Sequence, residues 1–137
     1  MIHCILSLGS NDGDREAHLR KALNFLAEIC DTLYCSTDYE SPALSGGMRV
    51  NKPHYLNSVA VVDFDGDTPT LEAMLKACEV MEGRTATARA EGRVPLDMDI
   101  VVADGCIIRP KDFRLFFFRR GYEELLPLLG PEYLPKP

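Results

Sequence analysis

The stretch "YLNSVAVVDFDGDTPTLEAMLKACEVMEG", residues 55–83, decides the fold. Its first part, 55–65, reads as a strand. Alternation places Tyr55, Asn57 and Val59 on one face of it. Thr68 followed by Pro69 supplies a helix cap and a first helical residue. Leu71, Met74, Leu75, Cys78 and Glu82 then lie along one side of a helix that ends near Gly83.

The flanks complete the pattern. Upstream, "IHCILSL" (2–8) is a mostly apolar, buried strand, and "GSNDGD" (9–14) is a turn cluster. Asp14 can cap a helix over about 15–29, where Leu19, Ala22, Leu23, Leu26 and Cys30 recur at helical spacing. "TLYCSTDYES" (32–41) alternates as a strand. Downstream, "LDMDIVVA" (96–103) is a strand, Asp104-Gly105 a hairpin turn, and "CII" a short returning strand. The order β-α-β-β-α-β predicts an α+β, ferredoxin-like domain with a mainly antiparallel sheet and two helices on one face. The Gly/Pro-rich stretch 42–54 reads as a long functional loop. Residues 84–93 read as a basic loop, and the tail as a C-terminal appendage with a weak helix near 121–129.

Composition narrows the function. The 137 residues suit one domain, 1–137, and at 46% hydrophobic they can build a core without staples. Five cysteines, an odd number with no CxxC pair, read as reduced, and with three histidines a structural zinc is not expected. No basic stretch precedes a leader-like apolar run, and no segment approaches the ~18 apolar residues of a membrane span. The expectation is a cytoplasmic protein with no membrane partner. The net charge of −6 is uneven, because 84–120 holds eight Lys/Arg against five Asp/Glu. Such a chain is a poor nucleic-acid binder but can hold a small, highly charged anion locally.

Asp97 and Asp99 carry the clearest chemical signal. Two residues apart on a strand, they project from one face roughly 6–7 Å apart at Cα. Like charges this close raise each other's pKa unless a cation intervenes. They suit Mg²⁺, which takes carboxylates together with substrate phosphates; the alternative is a solvated edge or pairing with arginines. Arg84, Arg89 and Arg93 precede them, and the planar guanidinium fork matches phosphate oxygens. Carboxylates, metal, phosphate and arginine are the parts of phosphoryl transfer. No GxxxxGK[ST] or GxGxxG loop is present. Asn57 can donate and accept at once beside the aromatic Tyr55, a pairing suited to a flat heterocycle or simply to a core. Glu79 reads as a helical surface residue and Tyr122 as a packing aromatic of the tail.

The ordered set "LGSN", "SPAL", "YLN", "E-x4-R" and "LDMDI" resembles the 6-hydroxymethyl-7,8-dihydropterin pyrophosphokinases of folate biosynthesis, over residues 2 to about 129. The resemblance implies an ATP-dependent diphosphotransferase. It would move the terminal diphosphate of ATP to the hydroxymethyl group of the dihydropterin and release AMP, with two Mg²⁺ ions between the aspartates and the triphosphate. It assigns the metal to Asp97 and Asp99, and the catalytic set to these two with Arg84 and Arg93. It assigns the pterin to Ser41, Pro42, Leu44, Tyr55, Asn57 and Tyr122, and ATP to Glu79, Arg84, Arg93, Arg114 and Arg120. The partners implied are these two small molecules, with a monomeric enzyme.

The chain departs from that pattern in two places. The usual "W-x-P-R-T-L-D-x-D" is replaced by "EGRVPLDMD", which puts Val94 at the arginine position with Arg93 one place early. The chain has no tryptophan, and Arg114 stands where a histidine is usual. Two further readings therefore stand beside the active enzyme: a paralogue that binds pterin or nucleotide without transfer, and a plain ferredoxin-like interaction domain.

Overall fold

Along the chain run β1 (Ile2–Ser10), α1 (Arg15–Ile29), β2 (Asp31–Cys35), β3 (Tyr39–Ser41), β4 (Leu44–Ser45), β5 (Met48–Arg49), β6 (Tyr55–Phe64), α2 (Thr68–Met81), α3 (Ala86–Ala90), β7 (Asp97–Ala103), β8 (Cys106–Ile107), α4 (Pro110–Arg114) and α5 (Phe116–Leu125). This computed structural model describes residues 1–45 and 48–137, and their side chains except at 32, 33 and 45. The main sheet runs β2-β6-β1-β7-β8, with β3 also on β6, and every pairing in it is antiparallel. This is the predicted α+β, ferredoxin-like arrangement.

The helices on the first face begin at acidic caps. Asp14 Oδ1 accepts from Ala17 N, and Asp67 Oδ1 accepts from Thr70 N, so the cap of α2 is Asp67 and Thr68 is its first residue. Leu19, Ala22 and Leu26 of α1 and Leu71, Leu75 and Cys78 of α2 bury against Leu6, Leu8, Ala60, Val62, Met98 and Ile100 of the sheet. The opposite face is not open. Ile5, Val59, Val61 and Val101 are covered by Phe118, Tyr122 and Leu125 of α5 and by Tyr133. The fold is thus three layers, and the sheet strands read as nearly continuous apolar runs because both faces are buried.

Four boundaries differ from the sequence expectation. The predicted strand 32–41 is two strands, because Ser36 turns inward: its Oγ accepts from Val59 N at 2.9 Å and its N donates to Val59 O. The 84–93 loop carries α3, capped by Thr85 Oγ1 accepting from Ala88 N. It closes at Gly92, whose φ of +71° a side chain would strain. Within 42–54, β4 and β5 form a small hairpin, of which residues 46 and 47 lie outside the described residues. The tail helix starts at Phe116 and ends at Leu125, not near 121–129.

α5 covers only part of its face. The ends of β1, β6 and β7 that it leaves clear carry Gly9 paired with Asn57 on one side and with Asp97 on the other. One row across three strands therefore holds Asn57, Gly9 and Asp97, with Tyr55 and Asp99 two residues along their strands on the same face.

Candidate active site

That row floors a cavity of about 300 Å³ lined by Ser7, Gly9, Ser41, Pro42, Leu44, Tyr55, Asn57, Asp97, Leu115 and Phe117. Asn57 is 3% exposed, and its Nδ2 donates to Ser41 Oγ at 2.8 Å and to Tyr39 O at 3.2 Å. With both donors used, Oδ1 is left without a partner among the described residues and lies toward the cavity. A Cβ on Gly9 would stand 3.3 Å from that oxygen and 3.4 Å from the Tyr55 ring. A hydrogen at position 9 keeps the floor flat enough for a planar ligand. A second hollow of about 310 Å³ adjoins the cavity and adds Arg49 and Phe116 to its rim.

Asp97 and Asp99 stand at the far side of the row. Arg84 Nη1 donates to Asp97 Oδ1 at 2.7 Å and to Glu79 Oε1 at 3.0 Å. Lys76 Nζ donates to Asp99 Oδ1 at 3.1 Å and to Glu79 Oε2 at 2.9 Å. Arg109 Nη1 lies 3.8 Å from Asp99 Oδ1. Glu79, 4% exposed, sits behind the pair and fixes both Lys76 and Arg84. Burial and then the neighbouring Asp97 push the Asp99 carboxyl up to about 7, with Lys76 acting against them. Burial raises Asp97 too, but hydrogen bonds with Asp99 and from Arg84 outweigh it and hold that carboxyl below the usual range. Lys76, Arg84 and Arg109 thus stand against the three carboxylates Asp97, Asp99 and Glu79. The donor set suits a hard divalent cation that takes one or two carboxylates and completes its shell with water and phosphate oxygens. Among the described residues no cluster of three or more His, Cys, Asp and Glu could form an all-protein cage.

The structure brings Ser41, Pro42, Leu44, Tyr55 and Asn57 to the cavity and Arg84 to the acid pair; Glu79, read from the sequence as a helical surface residue, is buried there because Lys76, Arg84 and Met98 N donate to its oxygens. The structure does not bring Tyr122 to the cavity. That ring is 5% exposed, stacked on Phe118 at 5.4 Å, because α5 begins early and turns it onto the sheet. Phe117 takes the place beside the cavity. Arg93 is bridged to Asp12 at 3.2 Å and to Glu91 at 2.9 Å, not to the acid pair. Arg120 lies over the Tyr39 ring, 5.6 Å from its centroid. Arg114 donates to Pro110 O and lines an open hollow of about 500 Å³ with Arg109 and Lys111. Arg109 and Lys76, neither foreseen, are the cations that reach Asp99. Ser7 and Leu115 were also missed.

The description 7,8-dihydro-6-hydroxymethylpterin-pyrophosphokinase belongs to the family whose model matches residues 5–128. The chain belongs to this family. Its members are ATP-dependent pyrophosphokinases of folate biosynthesis that use ATP and Mg²⁺ and bind a pterin as second substrate. No helix among the described residues is long and apolar enough to cross a membrane.

Asn11 is a further residue of the pyrophosphokinase that sequence reading passed over. Its N donates to Val94 O at 2.9 Å, its Oδ1 accepts from Val94 N at 2.6 Å, and its Nδ2 donates to Gly92 O at 3.3 Å. The turn after β1 is thereby clamped to the variant segment "GRVP". The signal was present as the "GSN" of the turn, but its partner is 83 residues away.

Proposed function

We propose that this chain transfers the β,γ-diphosphate of ATP to the hydroxymethyl oxygen of 6-hydroxymethyl-7,8-dihydropterin and releases AMP, acting as a monomer. One observation supports it above the rest: Asn57, Gly9 and Asp97 share one row of the sheet, so a heterocycle reader faces a carboxylate pair across a flat floor. The free Oδ1 of Asn57 accepts from the pterin edge, Tyr55 and Phe117 give the ring apolar surfaces, and Ser41 holds the amide in orientation.

Asp97 and Asp99 would hold two Mg²⁺ ions together with the triphosphate. Bound there, the metal supplies charge neutralisation on phosphate oxygens and fixes their position. Arg84 turns from Asp97 to the phosphates. Arg109, with Lys111 and Arg114 beside it, offers the nucleotide a basic hollow next to Asp99. The hydroxymethyl oxygen bonds to the β-phosphorus as the bond from that phosphorus to the AMP oxygen breaks, and the hydroxyl proton passes to solvent. No protein nucleophile takes part, so the rate rests on positioning and electrostatics.

The test mixes the protein with ATP, Mg²⁺ and the pterin. AMP formed one-for-one with pterin diphosphate supports the proposal, and size-exclusion chromatography checks the monomer. Pterin binding by calorimetry without AMP would instead support the binding-only paralogue, which the Arg93 bridges to Asp12 and Glu91 favour as the second reading.

A further inference from the structure

The ammonium of Lys76 has all three of its donors used. Nζ donates to Glu79 Oε2 at 2.9 Å, to Met98 O at 3.0 Å and to Asp99 Oδ1 at 3.1 Å. Two carboxylates and a carbonyl make an oxygen shell of the kind that holds a hard cation. The local geometry explains how a residue of α2 reaches it. β8 pairs only with Val102 and Ala103, so the edge of β7 at Met98 faces α2 instead of a strand. Glu79 Oε2 accepts from Met98 N at 2.8 Å and Lys76 donates to Met98 O, so two helical side chains satisfy the backbone there. The lysine stem remains 41% exposed and can leave without unpacking the core.

We infer that Lys76 is a tethered competitor of the divalent cation at Asp99: its ammonium occupies the carboxylate in the nucleotide-free protein and gives it up only when metal arrives with phosphates to receive the lysine. This rests on the metal reading of Asp97 and Asp99 given above. Lys76 and a divalent ion repel at this range, so binding of the metal alone is opposed. A polyphosphate next to the site removes the conflict by offering the ammonium new acceptors. The protein thus takes metal and nucleotide together rather than metal first.

The test counts free Mn²⁺ by its paramagnetic resonance signal in titrations of wild type, Lys76→Met, Lys76→Gln and Asp97→Asn, with and without a non-hydrolysable ATP analogue. The titrations run at about pH 8.5, on the alkaline side, to limit proton competition at the carboxylates. Without nucleotide, both Lys76 variants should bind Mn²⁺ about tenfold tighter than wild type, the loss of one nearby unit charge. The enhancement of Mn²⁺ binding by the analogue should shrink accordingly. A lysine that merely caps the strand edge would on removal loosen the site, so unchanged or weaker Mn²⁺ binding by both variants, with Asp97→Asn still abolishing it, overturns the inference and leaves the metal reading standing. Mn²⁺ binding that ignores Asp97→Asn even with the analogue overturns both.

Discussion

Asn57 Nδ2 donates to Ser41 Oγ across 2.8 Å, and the same amide keeps Oδ1 for the cavity. Ser41 therefore orients the Asn57 amide, though it belongs to a different strand. Asn57→Ala should weaken pterin binding by about 1–3 kcal/mol, the cost of an unmade buried hydrogen bond, and leave nucleotide binding near wild type. Calorimetry with each ligand separately checks this. Equal losses for both would deny Asn57 its role.

Phe117 and Tyr122 separate the cavity from the core. Phe117→Ala should lower pterin affinity roughly tenfold and cost less stability than the loss of Tyr122, since its ring is only partly buried between the cavity and the core. Tyr122→Ala should destabilise the fold by about 3–5 kcal/mol, as expected of an aromatic removed from a core. Parallel urea unfolding and pterin titrations decide which ring does which, and the reverse pattern would restore Tyr122 to the site.

Asp99 gives a signed pH effect. Its carboxyl titrates near 7 in the fold against an ordinary value of 3.8. Between those values the folded chain binds more protons than the unfolded one, so the Asp99 contribution to stability falls as pH rises from about 4 to about 7 and is level above. Asp99→Asn should flatten that decline in urea melts taken across the window. Mg²⁺ needs the ionised form, so its affinity should fall below about pH 7. A decline of the same slope in the variant would place the titration elsewhere.

Gly121 lets α5 sit on the sheet. A Cβ there would stand 2.6 Å from Val59 Cγ2 and 2.9 Å from Tyr39 Oη, which accepts from Gly121 N. Gly121→Ala should cost about 1–3 kcal/mol by overpacking, against the gain an alanine gives in an open helix. Denaturation midpoints settle the sign.

The parts of this protein legible in its sequence are those set by local period. Asp97 and Asp99 share a face because strands repeat every two residues, and α1 and α2 show their stripes and caps. Tyr122 was given to the pterin by the resemblance alone, whereas its reading as a packing aromatic matches the core it occupies; α5 has no side-chain cap at Leu115 to announce its start. Without that signal the register of "FRLFFFRRGY" cannot be fixed, and Phe116, Phe117 and Phe118 point to three different surroundings. Lys76 gave no signal in the sequence because its acceptors at 98 and 99 come from a strand edge that only the folded topology exposes. Arg93 was placed by its distance in sequence from Asp97, whereas the Asn11 clamp and Asp12 hold that segment to the far turn.

The row Asn57, Gly9, Asp97 has a geometric consequence. Strands in a sheet stand ≈4.8 Å apart, so the ring-reading amide and the first carboxylate are held about 10 Å apart by backbone hydrogen bonds alone. On the proposed function the sheet acts as a ruler whose two marks are the heterocycle and the phosphates. Changes in the 84–95 segment can alter how fast the chemistry runs. They cannot alter the span, so the length of the arm between ring and hydroxyl that this chain accepts is written in its most rigid layer.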